Sequence, residues 1–288
     1  MSGTVVSNPN QPTAGPWRAL RTKTAASLVD TRLQVHHAAQ LATALGISYL
    51  PKQPDDSHTN LTWIDALSAL VSNPVVAENE IRIGLSIASF ALLVIVNDGP
   101  RANLPLDGRT ITEAADWVRE HLATLGLDAT KFTLAKHYTI PEHAVGGGAP
   151  FDARDLDSFD EFARWYADAS SVLEEFAART ANAGTVRCWP HHFDIATLVE
   201  LGPGKTVGLG MEPGDVYYAE PYFYASPFPR PRGDLARPPL AGDGRWHTHE
   251  WIGAVLPASD VGSVDQRSQV EAFLESAFSA STGLMAAS

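Results

Sequence analysis

Apolar positions recur along this chain at two different periods, and the change of period organises it. Over 24–45, Leu28, Val29, Leu33, Leu41 and Leu45 fall at helical spacing and Gly46 follows as a cap. That predicts a first helix, with His36 and His37 inside it and His37 on the face of Leu33 and Leu41, where a packed core histidine would sit. A polar, Pro-bearing stretch at 51–60 interrupts the pattern, and 61–71 predicts a second, shorter helix ended by Ser72-Asn73-Pro74. Over 81–96, Ile81, Ile83, Leu85 and Ile87 alternate and then run on without a break to Asn97-Asp98-Gly99, which predicts a strand pair or one long bent strand. Thr110-Ile111-Thr112-Glu113 is a capping-box pattern ahead of a helix closed by Gly126. Residues 131–140 alternate weakly and predict a strand, and Gly146-Gly147-Gly148 predicts a loop joint. From Ser158 onward, Phe159, Phe162, Tyr166, Ala169, Leu173 and Phe176 share one face of a long helix, as core residues do.

Beyond that helix the period becomes two. Segments 186–201, 206–211, 216–225 and 245–256 predict strands, joined by short Gly/Pro-bearing turns that favour antiparallel pairing, and 265–279 predicts a closing helix. The expected fold class is α+β, a mainly antiparallel sheet covered by long helices. Residues 1–16 are expected to be a flexible N-terminal arm. Residues 17–288 are expected to form a single α+β domain, with two subdomains joined near 144–156 as the alternative.

Composition narrows the function classes. A net charge of −12 argues against a surface that neutralises nucleic-acid phosphates. The apolar run at 85–96 is broken by Ser86 and Ser89 and is too short to cross a bilayer, so no membrane role is expected. The start has neither a basic stretch nor an apolar segment of a targeting peptide, and the lone Cys188 reads as a core thiol, so the expected location is cytoplasmic.

Two segments carry the candidate chemistry. Trp189-Pro190-His191-His192-Phe193-Asp194 and Glu220-Pro221-Tyr222-Phe223-Tyr224 thread ionisable side chains through strand-like runs, where burying them costs several kcal/mol (order of magnitude) unless they are paired or bound. Strand alternation puts His192 and Asp194 on one face, and Trp189, His191 and Phe193 on the other. In the later strand Tyr218, Glu220, Tyr222 and Tyr224 share a face. His192, Asp194 and Glu220 are therefore expected to converge as catalytic residues, with Tyr218, Tyr222, Tyr224 and His191 binding the ligand. A bulge at Pro190 would shift the parity and make His191 the site residue instead. The face of Trp189, Phe193 and Ile195 is expected to pack on the long helix. His247 and His249 form a His-x-His pair, and with His192, Asp194 and Glu220 they make a donor set suited to zinc, iron or manganese.

No Gly-x-Ser-x-Gly elbow or His-Glu-x-x-His pair occurs, and Gly208 with Gly210 lacks a following helix, which sets aside serine-hydrolase, zincin and dinucleotide-fold readings. The leading expectation is a metal-assisted small-molecule hydrolase or lyase. A non-catalytic small-molecule-binding protein with a Tyr-lined pocket and a purely structural polar network are the alternatives. The expected partner is a small molecule, with a homo-oligomer left open.

Trp-Pro-His-His-Phe-Asp at 189–194, Pro-Gly-Asp at 213–215 and Glu-Pro-Tyr-Phe-Tyr at 220–224 resemble segments of a group of uncharacterised, mostly actinobacterial proteins. Those carry Trp-Pro-Glu-His-Phe-Asp, Ser-Pro-Gly-Asp and a Glu-Pro-Tyr run. The resemblance implies a bacterial protein and marks His192, Asp194, Asp215, Glu220 and Tyr222 as matching positions, while His191 replaces the group's glutamate. It does not extend to 247–250. It implies where a site lies and carries no reaction.

Overall fold

The computed structural model describes residues 17–21, 23–97, 99–231 and 237–287, so the expected arm at 1–16 lies outside the described residues. Among the described residues, four α-helices pack on one twelve-stranded antiparallel sheet, the α+β arrangement that the hydrophobic periods predict. Helix α1 (Ala25–Tyr49) is capped by Thr24, whose side chain accepts from the Ser27 N–H. Gly46 lies inside α1 rather than at its end. A Cβ there would fall against the His58 carbonyl oxygen, so the glycine allows the 57–59 turn to lie directly on the helix.

Residues 61–71 are not helical. They form β1 (Leu61–Ile64) and β2 (Ala69–Ser72), a hairpin closed through a 3₁₀ turn at 65–67 and Ser68 at φ 44°. A short apolar run fits either element, and Thr62, Trp63, Ile64 and Val71 are the β-branched and aromatic residues that pack best on a pleated surface. After β3 (Val75–Val76), the 81–96 segment resolves as a strand pair, β4 (Glu80–Ser86) and β5 (Ala91–Val96), followed by β6 (Gly99–Pro105). Helix α2 (Ile111–Thr124) starts with the predicted capping box. The strand expected at 131–140 is absent: a 3₁₀ turn at 129–131 leads into irregular backbone.

Helix α3 (Leu156–Arg179) buries the whole predicted aromatic stripe. Then come β7 (Arg187–Trp189), β8 (Asp194–Gly202), β9 (Lys205–Glu212), β10 (Tyr222–Phe228), β11 (Arg245–His247), β12 (Gly253–Pro257) and α4 (Gln266–Ala287). The strand expected from 216 begins only at Tyr222. Prolines 213 and 221 remove ladder donors, and the Asp215 carboxylate folds the chain back by accepting the N–H groups of Tyr217 and Tyr218. The sheet runs β11-β12-β10-β9-β8-β7-β1-β2-β4-β5-β6, with β3 beside β4. Strand β7 thus joins the early and late strands, and one hydrophobic core holds Leu61 and Ile83 together with Ile195, Leu209 and Phe223.

Helices α3 and α4 cover one face of β8, β9 and β10. Ile195, Val199, Leu209, Met211, Phe223 and Ala225 point to them and are buried. By alternation the other face carries Asp194, Ala196, Leu198, Gly208, Gly210, Glu212, Tyr222 and Tyr224.

Candidate functional site

The segment Trp-Pro-His-His-Phe-Asp is a hairpin turn, not a strand. Trp189 and Asp194 are the last register pair of β7 and β8, and residues 190–193 bridge them, closed by the Phe193 N–H donating to the Trp189 carbonyl at 2.6 Å. Phe193 sits at φ 72°, a conformation unusual for a bulky residue. The helices hold it there. Tyr166 on α3 donates its hydroxyl to the Phe193 carbonyl at 2.5 Å, and the buried phenyl ring stacks on His36 of α1 with centroids 4.5 Å apart. His36 Nε2 and Gln40 Nε2 both donate to the Pro190 carbonyl, at 2.8 and 3.2 Å. That carbonyl can only accept, so His36 carries its proton on Nε2, and burial drives its pKa down to about 3. His36 is a neutral clamp on the turn.

The turn decides which side chains reach the open sheet face. Trp189, expected in the core with Phe193 and Ile195, instead lies on the Asp194 side, because the two are register partners. A groove of about 1070 Å³ opens on that side. Its floor is formed by Asp194, Ala196, Leu198, Gly208 and Tyr224, and Arg187, Trp189, His191 and His192 line it from β7 and the turn. The polar 51–60 stretch supplies a wall that includes Gln53, Asp55, His58 and Asn60.

Asp194 is the most constrained group there. It is 7% exposed, its Oδ2 accepts the Tyr224 hydroxyl at 2.5 Å, and its Oδ1 is buried with no hydrogen-bond partner among the described residues. Burial raises the carboxyl above its ordinary range, against the lowering effects of the Tyr224 hydrogen bond and nearby His192. Tyr224 pairs with Gly210 in register, and its ring lies over β9 to reach Asp194 on β8. A Cβ on Gly210 would come within 2.8 Å of the Tyr224 ring and of the Ala196 Cβ. The Gly-x-Gly of β9 is therefore a stripped strip of sheet that a tyrosine crosses.

Next to it lies a second buried carboxyl, Glu212, paired in register with Tyr222. Burial holds Glu212 well above the usual range, and the Asp194 and Asp215 charges add to this while Arg32 of α1 opposes it. Arg32 Nη1 is itself buried without a partner among the described residues. Tyr222 donates to Asp215 Oδ2 at 2.8 Å.

The expected residues are only partly brought together. His191, His192, Asp194 and Tyr224 share the groove. His191 is half-buried, and its imidazole is held below its ordinary range by burial and by His192. Glu220 does not converge with Asp194. It precedes β10, where Pro221 breaks the alternation, and its carboxylate accepts the Ser259 N–H and hydroxyl at 2.7 and 2.8 Å. Tyr218 donates to His247 Nδ1 at 3.0 Å, away from the groove lining. His247 and His249 do not form a shared strand face either, because β11 ends at His247. The His247 Nε2 donates to the His249 carbonyl at 2.6 Å and the ring stacks on Trp251 at 4.4 Å, so both ring nitrogens are engaged. Among the described residues no group of three or more His, Cys, Asp or Glu side chains is arranged to hold a metal ion, and the expected zinc, iron or manganese set does not fit.

Sequence reasoning missed Gly210, Glu212, Arg187 and the 51–60 wall. A readable signal existed for one of them: glycines at alternate positions of β9, ahead of tyrosines at alternate positions of β10. No family model, no curated protein and no solved structure matches this chain. No helix among the described residues is long and apolar enough to cross a membrane.

Proposed function

We propose that this protein binds a small organic molecule in the groove over β7, β8 and β9, with Asp194 as the polar group at its floor. One observation carries the reading: a buried carboxyl lining a groove of about 1070 Å³ keeps one oxygen without a partner among the described residues. Leaving such an atom unsatisfied costs roughly 1–3 kcal/mol, which stability alone does not select. A ligand whose donor displaces the atoms that shield this oxygen recovers that cost on binding. Burial shifts this carboxyl towards its acid form, while its Oδ2 accepts from Tyr224.

Among the described residues the expected hydrolase or lyase chemistry has no metal donor set to rest on, and no step is assigned through a metal. What remains of it is a carboxyl whose pKa burial raises, beside His192 in the same groove. Binding is the reading the geometry supports best.

The test is a thermal-shift screen of water-soluble metabolites on the wild type, Asp194→Asn and Leu198→Trp. Leu198 lines the groove and is 50% exposed, so a larger side chain there fills space without disturbing the core. At least one compound should raise the melting temperature of the wild type and do so less for both variants. If no compound acts, or if both variants respond as the wild type does, the groove is not a binding site.

A further inference from the structure

Arg187 is a guanidinium in this groove that no ion pair answers among the described residues. It is half-buried on β7, and burial disfavours its charged form. Its one hydrogen bond among the described residues runs from Nη1 to the neighbouring Val186 carbonyl at 2.8 Å, and it makes no ion pair there. Glu174 of α3 acts on it only from beyond ion-pair distance. In a chain of net charge −12, with carboxylates in excess, a guanidinium that forms no ion pair among the described residues can still pair with an anion.

The register says what surrounds it. Arg187 pairs with Ala196, so Asp194 and Leu198 are its diagonal neighbours on the same face, with Cβ separations of roughly 7–8 Å. Trp189 lies two residues along β7 on that face. Around the arginine there is thus an exposed leucine, an alanine and an indole, with Asp194 at the far side.

Two acidic residues also line the groove, and neither answers Arg187. Asp55 accepts the Ser57 N–H at 3.1 Å within its own turn. Glu200 is four residues beyond Ala196 on β8, roughly 13 Å away at the rise of a strand.

We propose that the molecule taken by this groove is a small organic carboxylate with an apolar body, its carboxylate on the Arg187 guanidinium and its body against Trp189, Ala196 and Leu198. The proposal rests on the groove being a binding site, and adds the class of ligand. The planar fork of arginine matches the two oxygens of a carboxylate, which a lysine cannot reproduce. Burial raises the Asp194 carboxyl, which lessens its repulsion of a bound carboxylate.

The probes are benzoate, its neutral counterpart benzamide, and inorganic phosphate, titrated into the full chain while the Trp189 indole N–H resonance is followed and assigned through Trp189→Phe. Benzoate should shift the signal saturably, with benzamide and phosphate weaker by about tenfold or more, as expected when a charge-assisted bidentate pair is lost. Arg187→Lys, which keeps the charge, and Arg187→Ala should each weaken benzoate and leave benzamide unchanged, with the indole spectrum reporting that both variants fold. If benzamide binds as well as benzoate and the arginine variants change nothing, the carboxylate class is overturned while the groove remains a binding site. Preference for phosphate overturns the class as well, in favour of a different anion. If none of the three probes binds and the metabolite screen is also silent, both the class and the groove reading fall.

Discussion

At the residue scale the site depends on what is missing from position 210. Tyr224 can reach Asp194 only because no side chain rises from β9 beneath its ring. Gly210→Ala should therefore displace the tyrosine and cost about 1–3 kcal/mol, the usual penalty of overpacking, measured by chemical denaturation. A stability equal to the wild type would show that the ring does not bear on β9. Tyr224→Phe removes the donor to Asp194 Oδ2 and leaves a buried acceptor bare, so it should destabilise by about 1–3 kcal/mol and push the Asp194 carboxyl higher still. None of this pairing was legible from residue types alone. Asp194 and Tyr224 stood out as polar groups in apolar runs, but their meeting depends on a register that crosses three strands, and Glu220 looked equivalent until Pro221 broke its parity.

At the element scale the β7–β8 hairpin is the device that builds the groove, and the helices lock it. Phe193 plugs the turn into the core between His36, Phe162 and Tyr166. Phe193→Ala should cost about 3–5 kcal/mol, since a fully buried phenyl ring is deleted, and an unchanged melting temperature would contradict this packing. The long helices were legible because α2 carries a capping box and α3 an apolar stripe at one period. The 61–71 hairpin was not, because a short apolar run satisfies helix and strand alike. The 189–194 segment misled for a different reason: a four-residue turn occupied by Pro, His, His and Phe has none of the Gly, Asn or Asp that usually marks a hairpin, and its shape is imposed by bonds from α1 and α3.

At the scale of the whole molecule, helices α3 and α4 hold the segment at 18–20 as well as the sheet. Asp168 of α3 accepts the Arg18 N–H at 3.0 Å, and Gln266 of α4 accepts the Leu20 N–H at 3.0 Å. Burial raises the Asp168 carboxyl to about 7, opposed by that hydrogen bond and by Arg18. Its folded value lies above its unfolded one, so the folded state holds the extra proton. The stabilisation is complete at acid pH and is lost as pH rises through about 7. Asp168→Asn should consequently gain on the wild type by about 1–3 kcal/mol between pH 5 and pH 8, read from denaturation curves at the two values. A difference that does not change with pH would mean that Asp168 is ionised throughout.

The groove brings these scales together, and its central claim concerns the state of one carboxyl. The ¹³C resonance of the Asp194 carboxyl, assigned through Asp194→Asn, can be followed from about pH 4 to pH 8 with and without saturating benzoate. The account predicts a titration displaced upward from the ordinary carboxylate value, and a further change when the groove is filled. A simple titration near the ordinary value of about 4, with no response to the ligand, would contradict it.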